Sequence, residues 1–235
     1  MNNIAIIPAR GGSKRIPKKN IKNFFGKPII SYSIKAAIKS NLFSEIMVST
    51  DDIEIAEISK KYGANIPFLR STKNADDYAT LSDVIIEVIN NYEKLGKSFD
   101  NICCILPTAP FISPERLKEA FNLLKQLNFD SIFAVVKYSY PIFRALEFTE
   151  NNKIKMIWPE YLYTRSQDIK PAYYDSGSFY WVKTKALIKE KSLFCNNGSA
   201  IVLSEIEAQD IDNESDWKIA ELKFKFLNEQ KNYNI

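Results

Sequence analysis

Five cations crowd one short segment, Pro8-Ala9-Arg10-Gly11-Gly12-Ser13-Lys14-Arg15-Ile16-Pro17-Lys18-Lys19-Asn20, together with two glycines, a serine and an asparagine. Each like-charge pair at contact distance costs roughly 1 kcal/mol even at the dielectric of water. Such a loop is built to meet an anion. Glycine lets backbone N–H groups approach a ligand and gives access to positive φ. Ala9, Arg10, Gly11, Gly12, Ser13, Lys14, Lys19 and Asn20 are therefore candidate ligands of a polyanion, for which a triphosphate is the natural choice. The competing reading is a solvated basic loop, although solubility requires neither the glycines nor Ser13 and Asn20. The spacing is neither the Walker A loop nor the dinucleotide G-x-G-x-x-G, which disfavours P-loop kinases and nicotinamide enzymes.

A second cluster is Asp210-Ile211-Asp212-Asn213. Two carboxylates at i and i+2 of extended chain suit a hard divalent ion that also binds substrate phosphates; alternatively, Asp212 or Asn213 caps the helix that follows. Asp51-Asp52 poses the same choice between ligand and cap. Arg70 precedes a polar stretch, 71–79, that suits a nucleobase or lid segment, or it is an ordinary exposed arginine. Arg144 and Arg165 are spare cations that a carboxylate substrate could use bidentately. Asp175 and Ser176, in Tyr174-Asp175-Ser176-Gly177, have the small neighbours expected where backbone passes a ligand. The chain contains no histidine. That removes Ser-His-Asp and Cys-His catalysis, imidazole bases and His-ligated zinc.

Positioning these groups requires a frame, and strand-like and helix-like runs alternate. Strands are predicted at 4–8, 45–50, 102–106, 131–137 and 178–182, and helices at 29–40, 52–62, after Thr80, after Ser113-Pro114, and at 213–227. The apolar positions after Thr80 keep a 3.6-residue period, and 102–106 is the unbroken apolar run of a central parallel strand. This rhythm predicts an α/β fold with a doubly wound, mainly parallel sheet and ligands outside the carboxyl ends of its strands. The basic loop, Asp51-Asp52 and Pro107-Thr108-Ala109-Pro110 should share one crevice. The rhythm lapses at 138–172, where 147–157 reads as a hairpin within an excursion that either packs on a second copy or acts as a lid.

The 235 residues, 46% hydrophobic and 26% charged, fit a single domain spanning 1–235 with that inserted excursion. A net charge of +4 makes the basic loop local, so nucleic acid is not an expected partner. No run approaches the ~20 apolar residues of a membrane span. Cys103, Cys104 and Cys195 have no metal spacing and suit a reducing compartment. With a strand starting at the N-terminus, no signal peptide is expected and a cytoplasmic location is.

Taken in order, Pro8 through Asn20, Val48-Ser49-Thr50-Asp51-Asp52, Phe68-Leu69-Arg70, Pro107-Thr108-Ala109-Pro110 and Asp210-Ile211-Asp212 resemble the acylneuraminate cytidylyltransferases over nearly the whole chain. The resemblance implies a Rossmann-like nucleotidyltransferase fold and a homodimer formed through the excursion. It places Arg10 and Lys19 on CTP phosphates, Asp210 and Asp212 on Mg2+, and Arg70, Ala79 and Thr80 around cytidine. The sialic acid enzymes carry glutamine where Leu106 stands here. The stretches around Arg144, Arg165 and Asp175 resemble the pseudaminic acid branch instead, and Leu106, Thr108, Arg144, Arg165, Asp175 and Ser176 are the candidate sugar-binding residues. The expected reaction is transfer of CMP from CTP to the anomeric hydroxyl of pseudaminic acid, a nine-carbon 2-keto acid sugar, for bacterial surface or flagellar glycans. Arg10, Lys19 and Asp210 are the expected catalytic groups, with Asp210 as the base. CMP-sialic or CMP-legionaminic acid synthesis is the alternative within the class, and a non-catalytic nucleotide-sugar-binding module is the alternative outside it.

Overall fold

The computed structural model of the protein describes residues 2–233. In chain order the strands are β1 (Asn3–Pro8), β2 (Asn23–Phe24), β3 (Lys27–Pro28), β4 (Glu45–Ser49), β5 (Asn101–Ile105), β6 (Ser131–Lys137), β7 (Leu146–Phe148), β8 (Ile154–Met156), β9 (Tyr173–Lys183) and β10 (Gly198–Leu203). The helices are α1 (Ile30–Ser40), α2 (Ile53–Lys61), α3 (Leu81–Lys94), α4 (Pro114–Gln126), α5 (Thr184–Glu190) and α6 (Glu214–Tyr233).

Six strands form the central sheet in the order β10-β6-β9-β5-β1-β4. β1 pairs in parallel with β4 on one side and β5 on the other. The chain therefore changes winding direction at β1, and the crevice outside its carboxyl end is where ligands of open α/β sheets bind. β9 runs antiparallel to both β5 and β6. It begins at Tyr173, earlier than the sequence reading placed it, so Asp175 and Ser176 lie inside a strand rather than before one.

Successive residues of β1 and β5 face opposite sides of the sheet. Ala5, Ile7 and Cys103 pack with α1 and α4 through Ile34, Leu117 and Phe121. Ile4, Ile6 and Cys104 pack with α3 and α5 through Ile85, Ile89 and Leu187. Both faces are covered, so the strands read as continuous apolar runs. A third, smaller cluster joins Ile16, Phe24, Ile29, Ile211 and Trp217. It bears directly on the site, because Ile16 belongs to the basic loop and Ile211 separates the two aspartates.

The expected caps are present. Thr80 and Asp83 form a capping box at the start of α3. The Ser113 hydroxyl accepts from the Arg116 N–H at 3.2 Å, with Pro114 in the first turn. The hairpin of the excursion is β7 paired with β8.

Candidate active site

The chain leaves β1 at Pro8 and crosses the carboxyl ends of the sheet as the basic loop. One crevice of about 310 Å³ is lined by Arg10, Ser13, Lys14, Arg15, Lys19 and Asn20 from this loop, by Arg70, Asn74, Asp76, Asp77, Ala79 and Thr80 from the segment before α3, and by Pro107 and Thr108 after β5. Three stretches of sequence far apart thus meet as the sheet topology requires.

The loop's cations are balanced by carboxylates of the chain itself. Arg10 pairs with Asp77 at 2.8 Å, and Lys14 pairs with the same carboxylate. Arg15 meets Asp212 at 2.7 Å, and Lys18 meets Glu54 at 2.5 Å. The hydrogen bonds from Lys14 and Arg10 hold the Asp77 carboxyl below its ordinary pKa. An incoming polyanion therefore competes with Asp77 for Arg10 and Lys14.

Neither loop glycine uses left-handed backbone, since positive φ occurs in this loop at Lys18 (51°) and not at Gly11 or Gly12. A Cβ on Gly11 would lie 2.8 Å from the Asp52 carboxylate, while one on Gly12 would meet nothing within 4 Å. Gly11 is thus required for close passage of two loops, and its N–H donates to Asp51 at 3.0 Å. Asp52 caps α2, accepting from the Glu54 and Ile55 amides. The alternatives at Asp51-Asp52 therefore divide: one braces the loop and the other caps. Asn20 is buried and donates to the Arg10 carbonyl at 2.9 Å, which makes it a brace of the loop.

Arg70 is 8% exposed. Its Nε donates to Ser49 Oγ at 3.1 Å and its Nη2 to the Ser49 carbonyl at 2.5 Å, fixing the guanidinium to the end of β4. Burial lowers its pKa, and the charge of Asp51 opposes that shift. Arg70 is therefore a held crevice group rather than a free surface arginine. Between Arg70 and α3 the chain forms a strap. Its start is tied down by Glu87, which accepts from the Ser71 amide and hydroxyl, both at 2.8 Å, and from Asn74. Farther along, the Asp76 carbonyl accepts from Arg10 at 2.7 Å. The sequence reading identified this stretch as a nucleobase or lid segment but did not single out Asp76, Asp77 or Glu87. Its only signal was two adjacent acids at a distance in sequence from five cations.

The Asp-x-Asp segment reaches the same place from the other end of the chain. Ile211 is fully buried, and that anchor is worth roughly 1.5–3 kcal/mol. Lys19 Nζ donates to the Ile211 carbonyl at 2.6 Å and lies 3.8 Å from Asp212. Burial lowers the Lys19 pKa, with Asp212 and Asp210 opposing. Asp210 presents an open surface, yet enough protein surrounds it that lost hydration raises its pKa; the Asp212 charge adds to this and Lys19 counters it. The capping role falls to Asn213, whose Oδ1 accepts from the Ser215 and Asp216 amides. Asp210 and Asp212 are thus free of the capping role, although Asp212 is shared with Arg15 and Lys19. As a donor set they fit magnesium, which binds through one or two carboxylates and completes its shell with water and phosphate oxygens. Among the described residues, no group of three or more acids, histidines or cysteines is arranged as a protein-only metal cage.

On the sheet side, Thr108 is nearly buried and lines the crevice. Leu106 is half-buried against the second core cluster. Asp175 is exposed, its carboxylate held by the Gly177 amide at 3.0 Å and by the Tyr180 hydroxyl at 2.7 Å. Ser176 is buried and shares a 2.5 Å hydrogen bond with Ser178. Arg144 and Arg165 are not brought to this crevice. Arg144 lines a separate one within the excursion, and Arg165 pairs with Asp168 at 2.7 Å.

Loop cations and a braced arginine on one crevice, with a carboxylate pair tied to its edge by Lys19 and Arg15, can neutralise a polyphosphate and bind a metal beside it. Residues 4–223 match a family model described as cytidylyltransferase. The pseudaminic acid cytidylyltransferase of Campylobacter jejuni is 41% identical over 229 residues, covering 97% of this chain and 99% of that protein. The CMP-N,N'-diacetyllegionaminic acid synthase of Legionella pneumophila is 34% identical over 238 residues, covering 98% and 99%. Among solved structures, CMP:2-keto-3-deoxy-manno-octonic acid synthetase complexed with CTP superposes with a TM-score of 0.70 at 15% identity, covering 97% of this chain and 100% of that one. That likeness concerns the fold, which is of the nucleotidyltransferase α/β type.

Proposed function

Because this chain belongs to the cytidylyltransferase family, we propose that it transfers CMP from CTP to the anomeric hydroxyl of pseudaminic acid, releasing pyrophosphate. The observation that carries the reading is the convergence of Arg10, Lys14, Lys19 and Arg70 on one crevice whose edge is tied to Asp210-Ile211-Asp212 by Lys19.

In this mechanism Arg10, Lys14 and the Gly12 amide hold the β- and γ-phosphates after displacing Asp77, while the Gly11 and Ser13 amides shape the loop through Asp51 and the Gly11 carbonyl. Lys19, fixed by the Ile211 carbonyl and half-buried, neutralises charge that develops on the α-phosphate. Arg70, Ala79 and Thr80 face the cytidine. The sugar lies beside Leu106, Thr108, Asp175 and Ser176, with its anomeric oxygen in line with the α-phosphorus. The proton of that hydroxyl passes to a carboxylate oxygen of Asp210, since the chain has no histidine to receive it. Asp210 and Asp212 would hold magnesium, whose chemistry is to neutralise phosphate charge. Positioning and charge neutralisation do most of the work in phosphoryl transfer.

Arg144 and Arg165 stand outside the crevice within one chain, so any role for them on the sugar carboxylate requires the excursion of a second copy. A homodimer through 138–172 would supply it, and the exposed Tyr140, Leu146, Phe148, Ile154 and Tyr163 there support such a contact. No helix among the described residues is long and apolar enough to cross a membrane, and a cytoplasmic location is part of this proposal. The 34% identity to a legionaminic acid synthase makes that sugar the second candidate.

Pyrophosphate release with CTP and magnesium, compared across pseudaminic, legionaminic and sialic acids, tests the reading. Turnover should be greatest with pseudaminic acid. A preference for either other sugar would reassign the acceptor, and CTP binding without release would make the chain a binding module. Asp210→Asn should abolish magnesium-dependent turnover with the fold intact; unchanged turnover would remove Asp210 from the site.

A further inference from the structure

β9 is the one antiparallel strand of the six-stranded sheet, so its N-terminal end lies where the parallel strands have their carboxyl ends. The Leu106 amide donates to the Ser178 carbonyl at 2.8 Å, which sets residues 175–178 beside the loop after β5. The pairing with β6 is interrupted there. Val135 opposes Asp175 and Phe133 opposes Tyr180, with a register shift between them. Gly177 occupies the left-handed region at φ 61°, and a Cβ there would lie 3.3 Å from the Asp210 Cγ. Bulges of this kind re-aim side chains next to active sites.

The side chain re-aimed here is Asp175. One oxygen accepts from the Gly177 amide and the other from Tyr180 Oη. Tyr180 is 3% exposed and otherwise packed among apolar side chains of the second core cluster, so its hydroxyl is a rigid post that emerges from the core at this carboxylate. A carboxylate has about four acceptor sites, and these two bonds use two of them. The rest of an exposed but immobilised group faces outward beside Asp210.

We propose that Asp175 is a fixed hydrogen-bond acceptor for a hydroxyl or amide N–H of the sugar, and that Tyr180 is the positioning residue that holds it. This rests on the sugar-acceptor reading above. An acceptor-only anion repels the carboxylate of a 2-keto acid and attracts its donors. Asp175 therefore orients the sugar with its donor-bearing face toward β9. A site built to hydrogen-bond a donor strongly rejects analogues that lack it.

The test is steady-state kinetics of the full chain and of Tyr180→Phe, Asp175→Ala and the double variant, with the sugar that wild type turns over best. Tyr180→Phe should raise the sugar KM about tenfold, the scale of one hydrogen bond to a charged group, and leave the CTP KM within twofold. In the Asp175→Ala background it should add nothing, because it acts through that carboxylate. A purely structural role would move both KM values or lower the melting temperature without this split. Equal effects on CTP and sugar, an unchanged sugar KM, or additive effects in the double variant would overturn the proposal while leaving the sugar-acceptor reading standing. Absence of wild-type turnover with every 2-keto acid sugar would overturn that reading, and this inference with it.

Discussion

Lys19 offers the clearest separation of structure from chemistry, and Lys19→Met is the perturbation. The ammonium donates to the Ile211 carbonyl at 2.6 Å and joins the basic loop to the Asp-x-Asp segment 192 residues later. A hydrogen bond to a charged group contributes about 1.5–3 kcal/mol. Part of that is offset by the desolvation that also lowers the Lys19 pKa. Methionine keeps the apolar stem and relieves the desolvation, so the loss should lie at or below the lower figure. At about 2–4 °C per kcal/mol for a chain of this size, the melting temperature should fall by no more than about 6 °C. Catalysis should suffer far more. A donor aimed at developing transition-state charge is worth about 10²–10³ in kcat. The assay is pyrophosphate release at 25 °C under saturating substrates, beside a melting curve for each variant. Lys19→Arg should recover stability and part of kcat, because the charge remains but the reach differs. A Lys19→Met enzyme within tenfold of wild-type kcat would refute the assignment, as would a loss that scales with the unfolded fraction.

Two further outcomes follow from the strap. Asp77→Asn removes the carboxylate that shares Arg10 and Lys14, so the CTP KM should fall several-fold at low ionic strength, with the gain shrinking as salt screens the pair; a raised KM would mean that Asp77 holds the nucleotide instead. Burial alone would raise the Glu87 pKa, but hydrogen bonds from Ser71 and Asn74 prevail and hold it below the ordinary 4.5. Its contribution is therefore full above that value and fades as pH falls through the depressed folded value. Glu87→Gln should be less stable than wild type at pH 7, and the two urea midpoints should converge in acid; a gap independent of pH would contradict the linkage.

Much of the fold was legible from local signals. The 131–137 strand, the Thr80 and Ser113 caps and the 147–157 hairpin depend on neighbours a few residues away, and all are present. Local signals failed where the partner was distant. The tyrosine-rich stretch before Ser178 gave no strand period because β9 is bulged at Gly177, and alternation breaks at a bulge. The glycines of the basic loop suggested positive φ, whereas the structure uses Gly11 for close approach to Asp52.

The chemical inventory is legible without a structure: a polycationic loop, an Asp-x-Asp pair, no histidine, and a motif order belonging to cytidylyltransferases. Each of these is a property of residue type and spacing. The tertiary structure alone decided which charges meet. It set Asp77 on Arg10 and Lys14, Asp212 on Arg15, and Tyr180 under Asp175, and it left Arg144 and Arg165 outside the crevice. Charge pairing falls off over a few ångströms, whereas these partners lie 5 to nearly 200 residues apart in sequence. The crossing of loops at the carboxyl ends of one sheet brings the charged pairs within that range, and the bulge in β9 does so for Tyr180 and Asp175.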